Sequence, residues 1–360
     1  MKRKILILWL CAGLILGALT ACGGRERTAD IHVFYYTYSD TYISTVRAAL
    51  DRRLSEAGIS YQDYDANNSQ TTQTEQIQTA VTKGAKVLAV NIVTTGSDDA
   101  ARGILSLARS AGIPVIFFNR EVSDETVNSY ENCVFVGTSA TEAGRLQGDM
   151  IGDYLVKNFA KTDLNGDGKI SYVLFMGEKG NREAVNRTRY SVENANQKLR
   201  AANLPELVFY DPSNPDRFLL DKDGKWSAQA ANEYMTTALT SYNSANGNMI
   251  ELVICNNDNM AEGVITALQT AGFNTGKEGS VTVPVFGVDA IDAAKALIRE
   301  GKMTGTVTQD GEDMAACIHR ALENAMAGKG LTEGLENYEI DPAAAKIRIP
   351  YGVYTGDENE

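Results

Sequence analysis

The sequence predicts an α/β chain of two lobes, each built around a mostly parallel sheet. Short continuous runs of Val, Ile, Leu and Phe recur along the chain, and such runs suit parallel strands buried on both faces. Between them lie stretches with apolar residues at helical spacing, as in Ile43, Val46, Leu50 and Leu54. Residues 30–360 also exceed the usual size of one domain, so two are expected.

In chain order the expected strands are Ile31–Tyr36, Val87–Val93, Val115–Phe118, Cys133–Val136, Ser171–Met176, Leu207–Tyr210, Leu252–Cys255, Val283–Val288 and Gly305–Thr308. Several intervening helices end in Gly just before the next strand: Ala57-Gly58, Lys83-Gly84, Ala111-Gly112 and Ala271-Gly272. Glycine at that position stops a helix, which makes the pattern a repeated βα unit.

Residues 1–21 read as a leader outside the fold. Lys2-Arg3-Lys4 is a charged start, and Ile5 to Leu19 is apolar but too short for a comfortable membrane span. Leu19-Thr20-Ala21-Cys22 resembles a bacterial lipobox, in which Cys22 would be lipidated and become the new N-terminus. Residues 22–29 would then form a linker holding an extracytoplasmic chain to the membrane by its acyl chains.

Without the leader, 31 Lys and Arg face 46 Asp and Glu, a net charge of −15. That argues against a nucleic-acid partner, which needs a basic footprint. Cys133, Cys255 and Cys317 remain, an odd count without short spacing, and so neither a disulfide framework nor a zinc site. Cys133 and Cys255 read as small core residues. His32 and His319 stand far apart in sequence, and no Gly-x-Ser-x-Gly or His-Glu-x-x-His appears, so an enzyme is not expected. Paired carboxylates of the glycosidase kind leave no such pattern.

The segment from Asp163 to Ser171 follows a calcium loop of the EF-hand type. Asp163, Asn165 and Asp167 fill positions 1, 3 and 5, Gly168 takes the sharp turn, the Lys169 carbonyl falls at position 7 and Ser171 at position 9. Position 12, where a bidentate Glu belongs, is Leu174. Either the loop is an acidic turn or a distant carboxylate completes it; the three spaced oxygens and the Gly favour Ca²⁺.

Polar residues gather where strands end: Asp40, Asn119-Arg120, Asn256-Asn257-Asp258, Asp289 and Gln309-Asp310. In open α/β sheets the ligand crevice lies outside the carboxyl ends of the strands. One such residue alone reads as a helix cap, but five strand ends from both halves of the chain suggest a polar cleft. Amides, carboxylates and an Arg, with Tyr42 and Trp226 as candidate aromatic covers, suit a neutral polyol such as a sugar.

The segments Tyr36-Thr37-Tyr38-Ser39-Asp40-Thr41-Tyr42, Pro114-Val115-Ile116-Phe117-Phe118-Asn119-Arg120-Glu121, Val136-Gly137-Thr138, Gln147-Gly148-Asp149, Gly177-Glu178, Ile250-Glu251-Leu252-Val253-Ile254-Cys255-Asn256-Asn257-Asp258, Pro284-Val285-Phe286-Gly287-Val288-Asp289-Ala290 and Ile349-Pro350-Tyr351 carry a resemblance. With the 163–171 loop, they resemble the galactose/glucose-binding proteins of bacterial ABC transport, in the type I periplasmic-binding fold. The likeness spans nearly all of residues 30–355.

The resemblance implies two Rossmann-like lobes, 30–139 with 310–347 and 140–309 with 348–360. A three-segment hinge would join them near Thr138–Ala140, Gln309–Gly311 and Ile347–Ile349. It implies a monomer that delivers a monosaccharide to an ABC permease and ATPase, or signals to a chemoreceptor or sensor kinase. Glu251 would close the calcium loop, with Ser171 standing where the family has a longer Gln. Asp40 would take the sugar's 4-hydroxyl, Asn119 and Asn181 its 6-hydroxymethyl end, and Arg187, Asn257 and Asp289 its 2- and 3-hydroxyls. Tyr42 and Trp226 would sandwich the ring, and Tyr36, Arg120, Glu183 and Gln309 complete the site. The departures are Asn181 for His, Glu183 for Asp, Gln309 for Asn, Arg120 for Lys, and an insertion at Arg217–Lys225. Lipidation at Cys22 departs from the soluble members.

Overall fold

The computed structural model describes residues 29–356. The leader, Cys22 and all of the linker but Ala29 lie outside the described residues. The first half runs β1 (Ile31–Tyr35), α1 (Thr41–Glu56), β2 (Tyr61–Asp65), α2 (Gln70–Thr82), β3 (Val87–Val90), α3 (Asp99–Ala111), β4 (Val115–Phe118), α4 (Asp124–Asn128) and β5 (Cys133–Gly137). The second runs α5 (Ala140–Thr162), β6 (Ser171–Met176), α6 (Arg182–Ala201), β7 (Val208–Phe209), β8 (Leu219–Leu220), α7 (Ala228–Ser241), β9 (Leu252–Cys255), α8 (Asp258–Thr270), β10 (Val285–Asp289), α9 (Asp292–Arg299) and β11 (Gly305–Gln309). The chain then returns through α10 (Gly311–Met326), β12 (Glu339–Ile340), β13 (Lys346–Arg348) and β14 (Tyr351–Tyr354).

Two sheets result. The first has the order β12-β13-β5-β4-β3-β1-β2 and the second β14-β11-β10-β9-β6-β7, with β8 also beside β6. Pairing is parallel except for β12 with β13 and β11 with β14. Each sheet is buried on both faces by helices, which is why its strands read as unbroken apolar runs. Glycine ends α3 as expected, with Gly112 at φ 67.

The chain crosses between lobes at Thr138–Ser139, at Asp310 and at Ile349–Pro350. The third crossing lies later than expected. Arg348 pairs with Gly137 and Glu339 in the first sheet, and Ile349 N–H donates to the Gly137 carbonyl at 2.8 Å, so the first lobe keeps both residues. Strand β2 was not anticipated either: Tyr-Gln-Asp-Tyr-Asp lies at a sheet edge, partly exposed, and carries no apolar run.

Packing of α5 on α6 brings the second lobe's site helix into place. Gly144, Gly148 and Gly152 recur every fourth residue on α5, and a Cβ at Gly148 would lie 2.6 Å from the Ser191 carbonyl oxygen. That close approach fixes the depth at which α6 carries Arg187.

Candidate functional site

A cavity lies between the lobes, at the carboxyl ends of both sheets. It is lined by Tyr36, Asp40, Tyr42, Asn119, Arg120, Asn181, Glu183, Arg187, Trp226, Asn257, Asp289 and Gln309, the residues that the sequence and the resemblance assigned to the sugar. Ile43 also lines it; its helical spacing had marked it only as core.

The first lobe supplies one wall. Asp40 caps α1, its Oδ1 accepting from the Ile43 N–H at 2.7 Å, while its Oδ2 accepts from the Tyr36 hydroxyl at 2.6 Å. Tyr42 follows in the first turn of α1, buried beside Met314. Asn119 sits past β4 at φ 60, a left-handed conformation that Asn tolerates better than most residues, and accepts from Asn91 Nδ2 at 3.0 Å. The Arg120 guanidinium lies 4.3 Å from the centre of the Tyr36 ring and donates to the Val93 carbonyl at 2.7 Å.

The second lobe supplies the facing wall. Asn181 caps α6, and two residues on, the Glu183 carboxyl is pushed up by burial. Arg187, one turn further, donates to the Asn256 carbonyl and to Gln309 Oε1 at 2.9 and 3.0 Å. Trp226 takes φ 55 and lays its indole over Gly177, where a Cβ would come within 2.1 Å of the ring. The indole is therefore both packed and cavity-lining. Asn257 caps α8, and its Nδ2 donates to the Trp226 carbonyl at 3.4 Å. Asp289 ends β10 at φ 121 with Ala290 at φ 55, and burial pushes its carboxyl well above the usual range, against the pull of Arg187 at 3.9 Å.

The lobes touch directly across the cleft. Arg120 Nη2 donates to Glu178 Oε2 at 2.7 Å, Asn181 Nδ2 to Thr95 Oγ1 at 3.1 Å, and the Glu121 N–H to Glu183 Oε1 at 3.2 Å. Asn68 Nδ2 donates to the Asp223 carbonyl in the Arg217–Lys225 insertion at 3.2 Å. Sequence reasoning missed Asn68, Asn91, Thr95 and Glu178 as parts of this arrangement; only Glu178 lay in a singled-out motif. Buried and unpartnered are Glu183 Oε2, Arg120 Nε, Arg187 Nε, Trp226 Nε1 and Gln309 Nε2. One acceptor and several donors around an aromatic-walled cavity suit a ligand rich in hydroxyls. Among the described residues no Ser, Cys, His or Lys lines it.

The loop of Asp163 to Ser171 folds around its own carboxylates. Asp163 accepts from the N–H groups of Gly166, Asp167 and Gly168, and Asn165 and Asp167 each accept from the residue two ahead. Glu251, fully buried, spans both ends: Oε1 accepts from Leu164 and Asn165, and Oε2 from the Ser171 N–H. Burial pushes the Glu251 carboxyl up, and these three N–H bonds oppose that. The Ser171 hydroxyl faces the Met249 carbonyl and Glu251 Oε2, the latter at 3.3 Å. Among the described residues no three His, Cys, Asp or Glu side chains group closely enough to hold a metal. A cation here would have to draw on Asn165 and the Lys169 carbonyl as well.

Comparison with known proteins places this geometry. A Haemophilus influenzae protein, the D-galactose/methyl-galactoside binding periplasmic protein MglB, is 33% identical over 352 residues, covering 98% of this chain and 96% of its own. A Clostridium phytofermentans ABC transporter solute binding protein with bound β-D-glucose superposes with TM-score 0.69 at 20% identity, over 91% of this chain and 94% of its own. A Bacillus halodurans solute binding protein with bound myo-inositol does so with TM-score 0.67 at 24% identity, over 92% and 96%. At those identities the two structures speak to the fold alone. Residues 31–330 match the family described as periplasmic binding protein domain, and the chain belongs to that family.

Proposed function

We propose that this chain is an extracytoplasmic solute-binding lipoprotein that captures a hexose, D-galactose or D-glucose, between its lobes and presents it to an ABC permease and ATPase. The observation that carries the reading is the interlobe cavity, whose lining joins Asp40, Asn119 and Asn181 to Arg187, Asn257 and Asp289 between Tyr42 and Trp226. Kinship with a galactose-binding relative supports a hexose. The sugar favours the closed arrangement by as much as it prefers that state, and the closed form is what the permease reads.

Glu183 and Gln309 favour a second reading, another monosaccharide or a polyol. Each is one methylene longer than its family counterpart, and Glu183 Oε2 and Gln309 Nε2 both lack partners. Ca²⁺ in the Asp163–Ser171 loop, closed by Glu251, would pin the second lobe without touching the sugar and stabilise it by mass action. Cys22 carries the lipid. Among the described residues no helix is long and apolar enough to cross a membrane.

Calorimetry of residues 23–360 with a panel of monosaccharides tests the function. One-site binding of D-glucose and D-galactose is expected, with pentoses much weaker. A panel in which ribose or xylose outcompetes both hexoses rejects the hexose assignment.

A further inference from the structure

Arg187 reaches beyond the cavity into the hinge. Its Nη2 donates to Gln309 Oε1 at 3.0 Å and to the Tyr351 hydroxyl at 3.1 Å. The Tyr351 hydroxyl lies 2.7 Å from Thr138 Oγ1. These three partners stand on the three crossings: Thr138 follows β5, Gln309 ends β11, and Tyr351 opens β14 directly opposite Gln309 in the antiparallel ladder. Tyr351 does not line the cavity. A guanidinium only donates, so the Tyr351 oxygen accepts from Arg187, while in its bond with Thr138 Oγ1 either hydroxyl can be the donor. The Thr138 carbonyl in turn accepts from Arg348 Nη1 at 2.9 Å, which ties in the last strand before the third crossing. The hydrogen bonds thus form one continuous chain from a cavity arginine through one phenol to the first hinge segment.

We infer that Tyr351 is a positioning residue whose hydroxyl couples Arg187, itself bonded to the second crossing through Gln309, to the first and third crossings, setting both the pose of Arg187 in the cavity and the angle at which the lobes close. The inference rests on the proposed sugar-binding role of Arg187. Tyr351→Phe keeps the ring and removes only the junction, leaving Thr138 Oγ1 without this partner and Arg187 Nη2 with Gln309 alone. Both partners stand on the second lobe, so the loss reaches the sugar only through a less firmly held Arg187, and binding is expected to weaken severalfold, up to about tenfold. Thr138→Val breaks the same chain one step further on, so the double variant should be no worse than the more impaired single variant.

The test has two arms, on residues 23–360, which contain the whole described fold. In the first, calorimetry follows D-glucose and D-galactose binding in wild type, Tyr351→Phe, Thr138→Val and the double variant. In the second, spin labels on Thr79→Cys and Thr236→Cys, exposed on opposite lobes, report interlobe distances with and without sugar. The native cysteines of the described residues are buried. A weaker Kd with non-additive single variants, and an interlobe distance distribution that shifts or broadens in Tyr351→Phe, are expected. An unchanged Kd, or effects of the two variants that multiply, overturns the inference. If wild type binds no sugar, the hexose reading fails by itself, and the distances still decide: identical distributions in wild type and Tyr351→Phe overturn the coupling.

Discussion

Glu178→Gln isolates the contribution of lobe closure to affinity. Glu178 lies outside the cavity lining but accepts from Arg120 across the cleft at 2.7 Å. Its side chain is 21% exposed and that of Arg120 only 5%. Hydrogen bonds to charged groups contribute about 1.5–3 kcal/mol, and the partial exposure of Glu178 argues for the lower end. Glutamine preserves the shape and one acceptor while removing the charge. Because the partners stand on different lobes, the loss falls on the closed form alone. About 1.5 kcal/mol is then roughly a tenfold weaker Kd for sugar. Calorimetry measures it directly, and unfolding of the ligand-free protein controls for damage to one lobe. A Kd within twofold of wild type, with normal folding, would refute the idea that this ion pair helps hold the lobes together.

Asp63 and Asp51 each have an unpartnered buried oxygen, and burial followed by the neighbouring Asp51 pushes the Asp63 carboxyl up to about 8. Folded protein thus holds a proton that unfolded chain releases near 3.8, so this site favours folding most at low pH and progressively less as pH rises to 8. Asp63→Asn should therefore raise Tm more at pH 8.5 than at pH 5; an equal change at both would contradict a proton held on Asp63. Chelation in metal-stripped buffer should lower Tm reversibly, and Glu251→Ala should abolish that response, whereas a Tm indifferent to chelator rules out a structural Ca²⁺. Trp226 is the sole tryptophan once residues 1–21 are gone, so sugar should change its emission in one saturable step. A spectrum unmoved by a sugar that calorimetry shows to bind would place the ligand away from the indole.

The layers of the fold and much of the cavity lining were legible in the residues themselves, for related reasons, while Tyr36, Asn181, Glu183 and Arg187 came only through the family resemblance. Strands buried on both faces must be apolar, so Val115–Phe118 and Ser171–Met176 announced themselves, and the polar residues just beyond such strands stood out at the sheet ends where a crevice forms. Edge strand β2 carries no such signature because half of it meets solvent. Ile43 faces the cavity from a helix whose spacing signals only that it is buried. Asn91 and Glu178 act through other side chains, Asn119 and Arg120, and nothing local marks a residue whose partner lies elsewhere in the chain. The hinge boundary slipped for a similar reason: Arg348 is kept in the first lobe by pairing with Gly137, a contact that local sequence does not encode.

A crystal structure of residues 23–360 grown with D-galactose or D-glucose tests the central claim most directly. A single pyranose is expected in the interlobe cavity, its ring between Tyr42 and Trp226, with Asp40 on the 4-hydroxyl and Arg187, Asn257 and Asp289 around the 2- and 3-hydroxyls. A saturating hexose found elsewhere on the protein, with Arg120 still paired to Glu178 over a cavity holding only water, would contradict it.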